Sequence, residues 1–183
     1  MRLPILLAIL LFALPVGAQP PPQIVLPGQA RTGADARAVR FIFYCSENSR
    51  NATGVLGLEL HVPRFTELAS VFDFDAFEGP DAQAGARTRI EAGGASGRFA
   101  VSGWIGVTDD RPFAFGLSAP RRRDPQRLAT LARVLAPVTT GAAQLVWTQR
   151  DAGRSGSSIV ARLDVSAEDS ARLRELLGPC LQR

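Results

Sequence analysis

The 183-residue chain contains no lysine, so every one of its 21 basic residues is arginine. A phosphate loop of the Walker kind needs a lysine, and so does a Ser–Lys dyad; both are excluded. The single histidine, His61, falls on the polar side of a strand pattern. A lone histidine there reads as a surface or hydrogen-bonded residue rather than a general base. Two distant cysteines, Cys45 and Cys180, and one histidine do not make a zinc site. The segments Gly94-Ala95-Ser96-Gly97-Arg98 and Gly153-Arg154-Ser155-Gly156-Ser157 lack the final glycine of a nucleophile elbow. No apolar run after the first residues reaches the roughly 20 residues of a membrane-spanning helix, and no internal repeat is present. These absences point away from an enzyme and from any cofactor.

The formal net charge is +4. Arginine, alanine, glycine and proline are all abundant, as GC-rich codons favour, and acidic residues alternate with the basic ones. The charge is therefore not read as a nucleic-acid surface. Arg2 precedes an apolar run, Leu3 to Leu14, and Pro15-Val16-Gly17-Ala18 follows with small residues. This is the three-part pattern of a secretory signal peptide over residues 1–18. Residues 19–37, with Pro20-Pro21-Pro22, read as a flexible leader. Residues 38–183 then form a single β-rich domain in the periplasm or outside the cell, with no stable membrane span once the signal is removed. In that oxidising setting an even count of two cysteines favours one bridge, Cys45–Cys180. Two buried free thiols or an intermolecular bridge are the alternatives.

Alternation with period two marks the strands. Val39, Phe41, Phe43 and Cys45 share one face, and Leu56, Leu58, Leu60 and Val62 share another. A helical turn is expected over 64–70. A strand is expected over 71–77, where Phe72, Phe74 and Ala76 oppose Asp73 and Asp75. A short strand over 87–92 turns at 93–96 into a long one over 98–107, with Phe99, Val101, Ile105 and Val107 in phase. Phe113, Phe115 and Leu117 follow a hairpin loop, 108–112. Asp124-Pro125 opens a helix that Pro137 ends. Strands over 142–149 and 157–165 come next. Ser166, with Asp169 three residues on, caps a last helix that Gly178 and Pro179 end. The expected fold class is α+β, mostly β: an antiparallel β-sandwich or strongly curved sheet with two late helices.

Arg121, Arg122 and Arg123 form the densest charge cluster and are the candidate contact for an anion or partner. A solvated loop is the plainer reading. The acidic stretch Asp73, Asp75, Glu78 and Asp81 offers oxygen ligands, but its spacing does not fit a calcium loop. No catalytic or metal-ligating residue is assigned.

An early-strand cysteine, hairpins, a leucine-bearing helix, a tryptophan strand, a further strand and a helix ending in cysteine are laid out in order. Over Leu128 to Cys180, with Cys45 as partner, this layout resembles the invasion-associated locus B family of small exported bacterial proteins. Type VI secretion accessory proteins are a looser likeness. The resemblance implies a periplasmic or envelope protein without enzymatic activity and no active-site residues. The expected function is non-enzymatic binding of another protein or an envelope polymer. The alternatives are an inhibitor of a lysozyme or protease, presenting the loops 108–112 or 151–156, and a small hydrolase using Asp73 and Asp75.

Overall fold

The computed structural model describes residues 21–48, 53–79, 82, 88–108, 110–151 and 156–181. Among the described residues, nine strands form one antiparallel sheet in the order β5-β4-β8-β9-β1-β2-β3-β7-β6. They are β1 (Gln23–Thr32), β2 (Asp35–Asn48), β3 (Thr53–Val62), β4 (Thr88–Ala92), β5 (Ala95–Phe99), β6 (Ser102–Ile105), β7 (Phe113–Pro120), β8 (Ala143–Arg150) and β9 (Ser158–Val165). The helices are α1 (Pro125–Thr140) and α2 (Ala167–Leu181). The expected class therefore holds, in its curved-sheet form rather than as a sandwich.

The sheet curls because one face of nearly every strand is apolar and must be covered. Phe41, Phe43, Leu56, Leu58, Leu60, Phe115, Leu117, Trp147 and Ala161 all lie on the inner face and are fully buried. Helix α1 rests on β4, β5 and β8 near one end of the sheet and on β7 near the other, so it bridges the opening that the curl leaves. Helix α2 packs on α1 and under β1, β2 and β3. The Cys45–Cys180 disulfide ties the last turn of α2 to the middle of the sheet, with Cα atoms 5.9 Å apart. Among the buried polar groups, Gln149 accepts from Thr88 Oγ1 and from Trp147 Nε1 (3.3 Å), which gives both donors an acceptor.

Several expectations are corrected. The leader expected over 19–37 is in large part strand β1 and the start of β2, joined at Gly33 with φ of 59°. Ile24, Leu26, Gly28 and Ala30 face inward, but the last two are too small to announce a strand. Gly28 is required because Phe41 lies over it: a Cβ there would meet the ring at 2.7 Å. The domain thus begins before residue 38, and Arg37 is buried, bonding Asp35 (2.8 Å), Glu67 and the carbonyls of Pro63 and Arg64.

The strand expected over 71–77 is instead a turn followed by a 3-10 segment, Asp75–Phe77. A preceding 3-10 segment, Phe65–Leu68, matches the helical turn expected there. Together they fold over one end of the curl and bury Phe72, Phe74 and Phe77 against Phe113 and Phe115 at centroid distances of 4.8–6.0 Å. The long strand expected over 98–107 is divided. Phe99 and Val101 are buried, whereas Ile105 and Val107 are exposed, because the chain leaves β5 at one sheet edge and joins β7 as β6 at the other.

Both helices run through the prolines expected to stop them. Pro137 lies within α1, where its ring packs on Gly93 and the last turn gains Thr139 and Thr140 hydroxyl bonds to Ala136. Pro179 lies within α2, where the disulfide at Cys180 and the Arg121 guanidinium on the Pro179 carbonyl (2.9 Å) hold the last turn. The caps at their starts are as expected: Asp124 Oδ1 accepts from Arg127 N, and Ser166 Oγ from Asp169 N.

Candidate functional site

The sequence candidates end up in separate places. Arg121 pins the end of α2 as described, and its own N–H donates to the Gly54 carbonyl (2.8 Å). Arg122 and Arg123 are exposed on the turn ahead of α1. The first member of the triplet thus also serves the fold, whereas the other two are exposed. Asp73 accepts from Ala76 N (3.3 Å) as a turn cap, and its N–H donates to Asp151 (3.0 Å). Asp75 is exposed at the start of the 3-10 segment, so the two carboxylates do not line a strand's wet face. Among the described residues no group of three His, Cys, Asp or Glu side chains could hold a metal ion. The apolar segment 1–18, most of the loop 151–156 and Asp81 lie outside the described residues.

The outer face of the sheet carries the polar chemistry. On β3, His61 is 9% exposed and its Nε2 lies 2.7 Å from Glu59 Oε2. Of the two readings the sequence allowed, surface or hydrogen-bonded, the second describes it. By register, His61 stands between Arg40 of β2 and Ala114 of β7, and Glu59 between Ile42 and Gly116. Arg40 clamps Asp110 with bonds of 2.8 and 3.0 Å, which anchors the β6–β7 loop. Bonds from Thr108 and then from Arg40 hold the Asp110 carboxyl below the usual range. Tyr44 lies flat over Gly57, and burial, reinforced by the Glu59 charge, raises its phenol to about 12. Trp104 covers Gly116 in the same way from the edge strand β6.

A cleft of about 780 Å³ opens on the other half of this face, over β1, β9 and β8. Its walls carry Gln29, Arg31, Gln144, Val160, Arg162 and Asp164, above Pro27 and Gly28. Register places Gln29 beside Arg162, and Arg31 beside Val160. Gln144 Nε2 donates to Asp164 (2.8 Å), and further along β4 Arg89 pairs with Glu91 (2.8 Å). Arg31 and Arg162, in contrast, have no ion pair or side-chain hydrogen bond among the described residues. Two unneutralised guanidinium groups on adjacent strands suit a carboxylate or other anionic group. Reasoning from sequence missed this site, because Arg31 fell in the supposed leader and Arg162 reads as an ordinary outward residue. The chain matches no protein-family description, no curated protein and no solved structure.

Proposed function

We propose that this chain is a non-enzymatic protein of the bacterial periplasm or envelope that binds another protein or an envelope polymer, with the cleft over β1, β9 and β8 as its contact surface. The observation that carries the reading is the contrast on the outer face. His61 with Glu59, Arg40 with Asp110, Arg89 with Glu91 and Gln144 with Asp164 are engaged in pairs, whereas Arg31 and Arg162 face a sizeable cleft with no ion pair or side-chain hydrogen bond among the described residues. Side chains locked in pairs stabilise a surface; unpaired guanidinium groups beside a concavity recognise a ligand. The Cys45–Cys180 bridge fits an oxidising compartment, and the order of elements resembles the invasion-associated locus B family. A photo-cross-linker placed at Gln29 and activated in living cells tests the reading. A discrete adduct, abolished by charge reversal at Arg31 and Arg162, is expected. Absence of any adduct, or a protein whose intact N-terminus stays in the cytoplasm, refutes it.

A second reading, an inhibitor that presents a rigid loop to a lysozyme or protease, is favoured by the β6–β7 loop. Gly106 N donates to Pro112 O (2.7 Å), Arg111 N to Thr108 O (2.8 Å), and Arg40 holds Asp110. Arg111 is fixed at φ of 37°, beside a wholly exposed Val107. Asp109 of this loop lies outside the described residues. Inhibition of a lysozyme or protease panel that Val107→Asp removes supports this reading; no inhibition at all ends it.

A further inference from the structure

Strand β1 pairs with β2 along its whole length, Gln23 to Thr32, but with β9 only at Gln29–Arg31. The reason lies in the backbone. The two-residue turn Gly33-Ala34 makes Thr32 and Asp35 a hydrogen-bonded pair. Counting back by twos, the even-numbered residues of β1 bond to β2, and the odd-numbered ones point their N–H and C=O toward β9. Gln29 and Arg31 therefore bond to Arg162 and Val160. The next residue that would pair is Pro27, opposite Asp164. Proline has no N–H, its ring fills the donor's place, and β9 itself ends one residue on, at Val165, so the ladder stops there. The amides of Gln23 and Val25 and the carbonyls of Gln23, Val25 and Pro27 are left facing an opening with no strand across it among the described residues.

This free half-edge runs between two cavities. On the outer side lies the cleft with Arg31 and Arg162. Toward α2 lies a second cavity of about 580 Å³, where Ile24, Leu176 and Pro179 supply apolar surface near Cys45, with Glu175 and the Asp169-paired Arg172 on its α2 wall. A strand laid against β1 would point alternate side chains into each.

We infer that this opening takes an extended segment of another polypeptide, added as a strand to Gln23–Pro27, with acidic side chains toward Arg31 and Arg162 and apolar ones toward Ile24 and Leu176. Charge favours this partner: on the outer side Arg31 and Arg162 outnumber the one carboxylate, Asp164, which Gln144 holds, and on the other side Ile24, Leu176 and Pro179 supply apolar surface beside Arg172 and Glu175. The inference rests on the binding role proposed above and narrows it to a protein partner.

The test uses the protein purified from periplasm and a defined pool of capped peptides of about eight residues, alternating Glu with Val, Ile, Leu or Phe. Amide hydrogen exchange is read at Gln23 and Val25. A binding member should slow both by about tenfold or more. N-methylation of its β1-facing amides should weaken binding about tenfold, and Arg162→Gln should weaken it severalfold and flatten its salt dependence. The inference is overturned if no member at roughly 1 mM slows these amides. It also falls if the N-methylated peptide binds equally, or if the same amides become protected through concentration-dependent self-association. A Gln29 adduct in cells together with a silent peptide pool would leave the binding role standing and remove only this inference.

Discussion

Reducing the Cys45–Cys180 bridge should cost the protein a large share of its stability. The bridge closes a loop spanning 135 positions. Taking the unfolded-chain entropy as −2.1 − 1.5R ln n gives about 17 cal/mol/K, or about 5 kcal/mol at 25 °C. The native contacts around it are expected to survive reduction. Leu173 and Leu177 keep α2 in the core, and Arg121 still holds the Pro179 carbonyl. The loss is therefore expected through the unfolded state, which is freed to expand. With a urea slope of about 2.5 kcal/mol/M, the midpoint should fall by about 2 M, and the slope itself should rise as the freed chain exposes more surface. Urea titrations of the oxidised protein, the protein held reduced, and a Cys45→Ala/Cys180→Ala variant check this. The two thiol-free or reduced forms should agree to within about 1 kcal/mol, since Cys→Ala removes little buried volume. A midpoint shift below about 0.5 M would refute the entropic reasoning, because the reduced chain would then be no freer than the oxidised one.

Three further outcomes follow from the geometry. The only tyrosine, Tyr44, should ionise near 12 rather than 10 in a 295 nm absorbance titration. Because its folded phenol holds the proton more tightly than the unfolded one, stability should fall as pH rises from about 10 to about 12; ionisation at the ordinary pH would refute its burial over Gly57. Arg37→Ala should destabilise by about 2–3 kcal/mol, because its charged bonds tie the β1–β2 hairpin to the Pro63 and Arg64 carbonyls; thermal unfolding would show it, and a change under about 0.5 kcal/mol would count against the tie. Gln149→Leu should cost about 1–3 kcal/mol by leaving Trp147 Nε1 and Thr88 Oγ1 buried without their acceptor; equal stability of the variant in urea would show that the network contributes nothing.

What could be read from the sequence is what depends on residues a few positions apart. The alternation in β2, β3, β7, β8 and β9 is a consequence of the pleat, and the Asp124 and Ser166 caps follow from the unpaired amides at a helix start. The even cysteine count likewise pointed to the bridge. Strand β1 escaped because two of its inward residues, Gly28 and Ala30, are small, and Gly28 owes its size to Phe41 on the neighbouring strand and to the Arg162 carbonyl of β9. Phe72, Phe74 and Ala76 have a strand's spacing, but they pair with no strand among the described residues, and Phe72 and Phe74 fold with Phe77 over the end of the curl instead. Pro137 and Pro179 would end helices in isolation, yet packing on Gly93 and the covalent bond at Cys180 carry both helices through. The candidate site belongs wholly to this second class. Arg31 and Arg162 lie 131 positions apart in the chain, and only the antiparallel meeting of β1 with β9 makes them neighbours. Periodicity and capping are local and are written in the chain; which strand meets which, and where Pro27 breaks the meeting, is decided only when distant segments compete for the same partners.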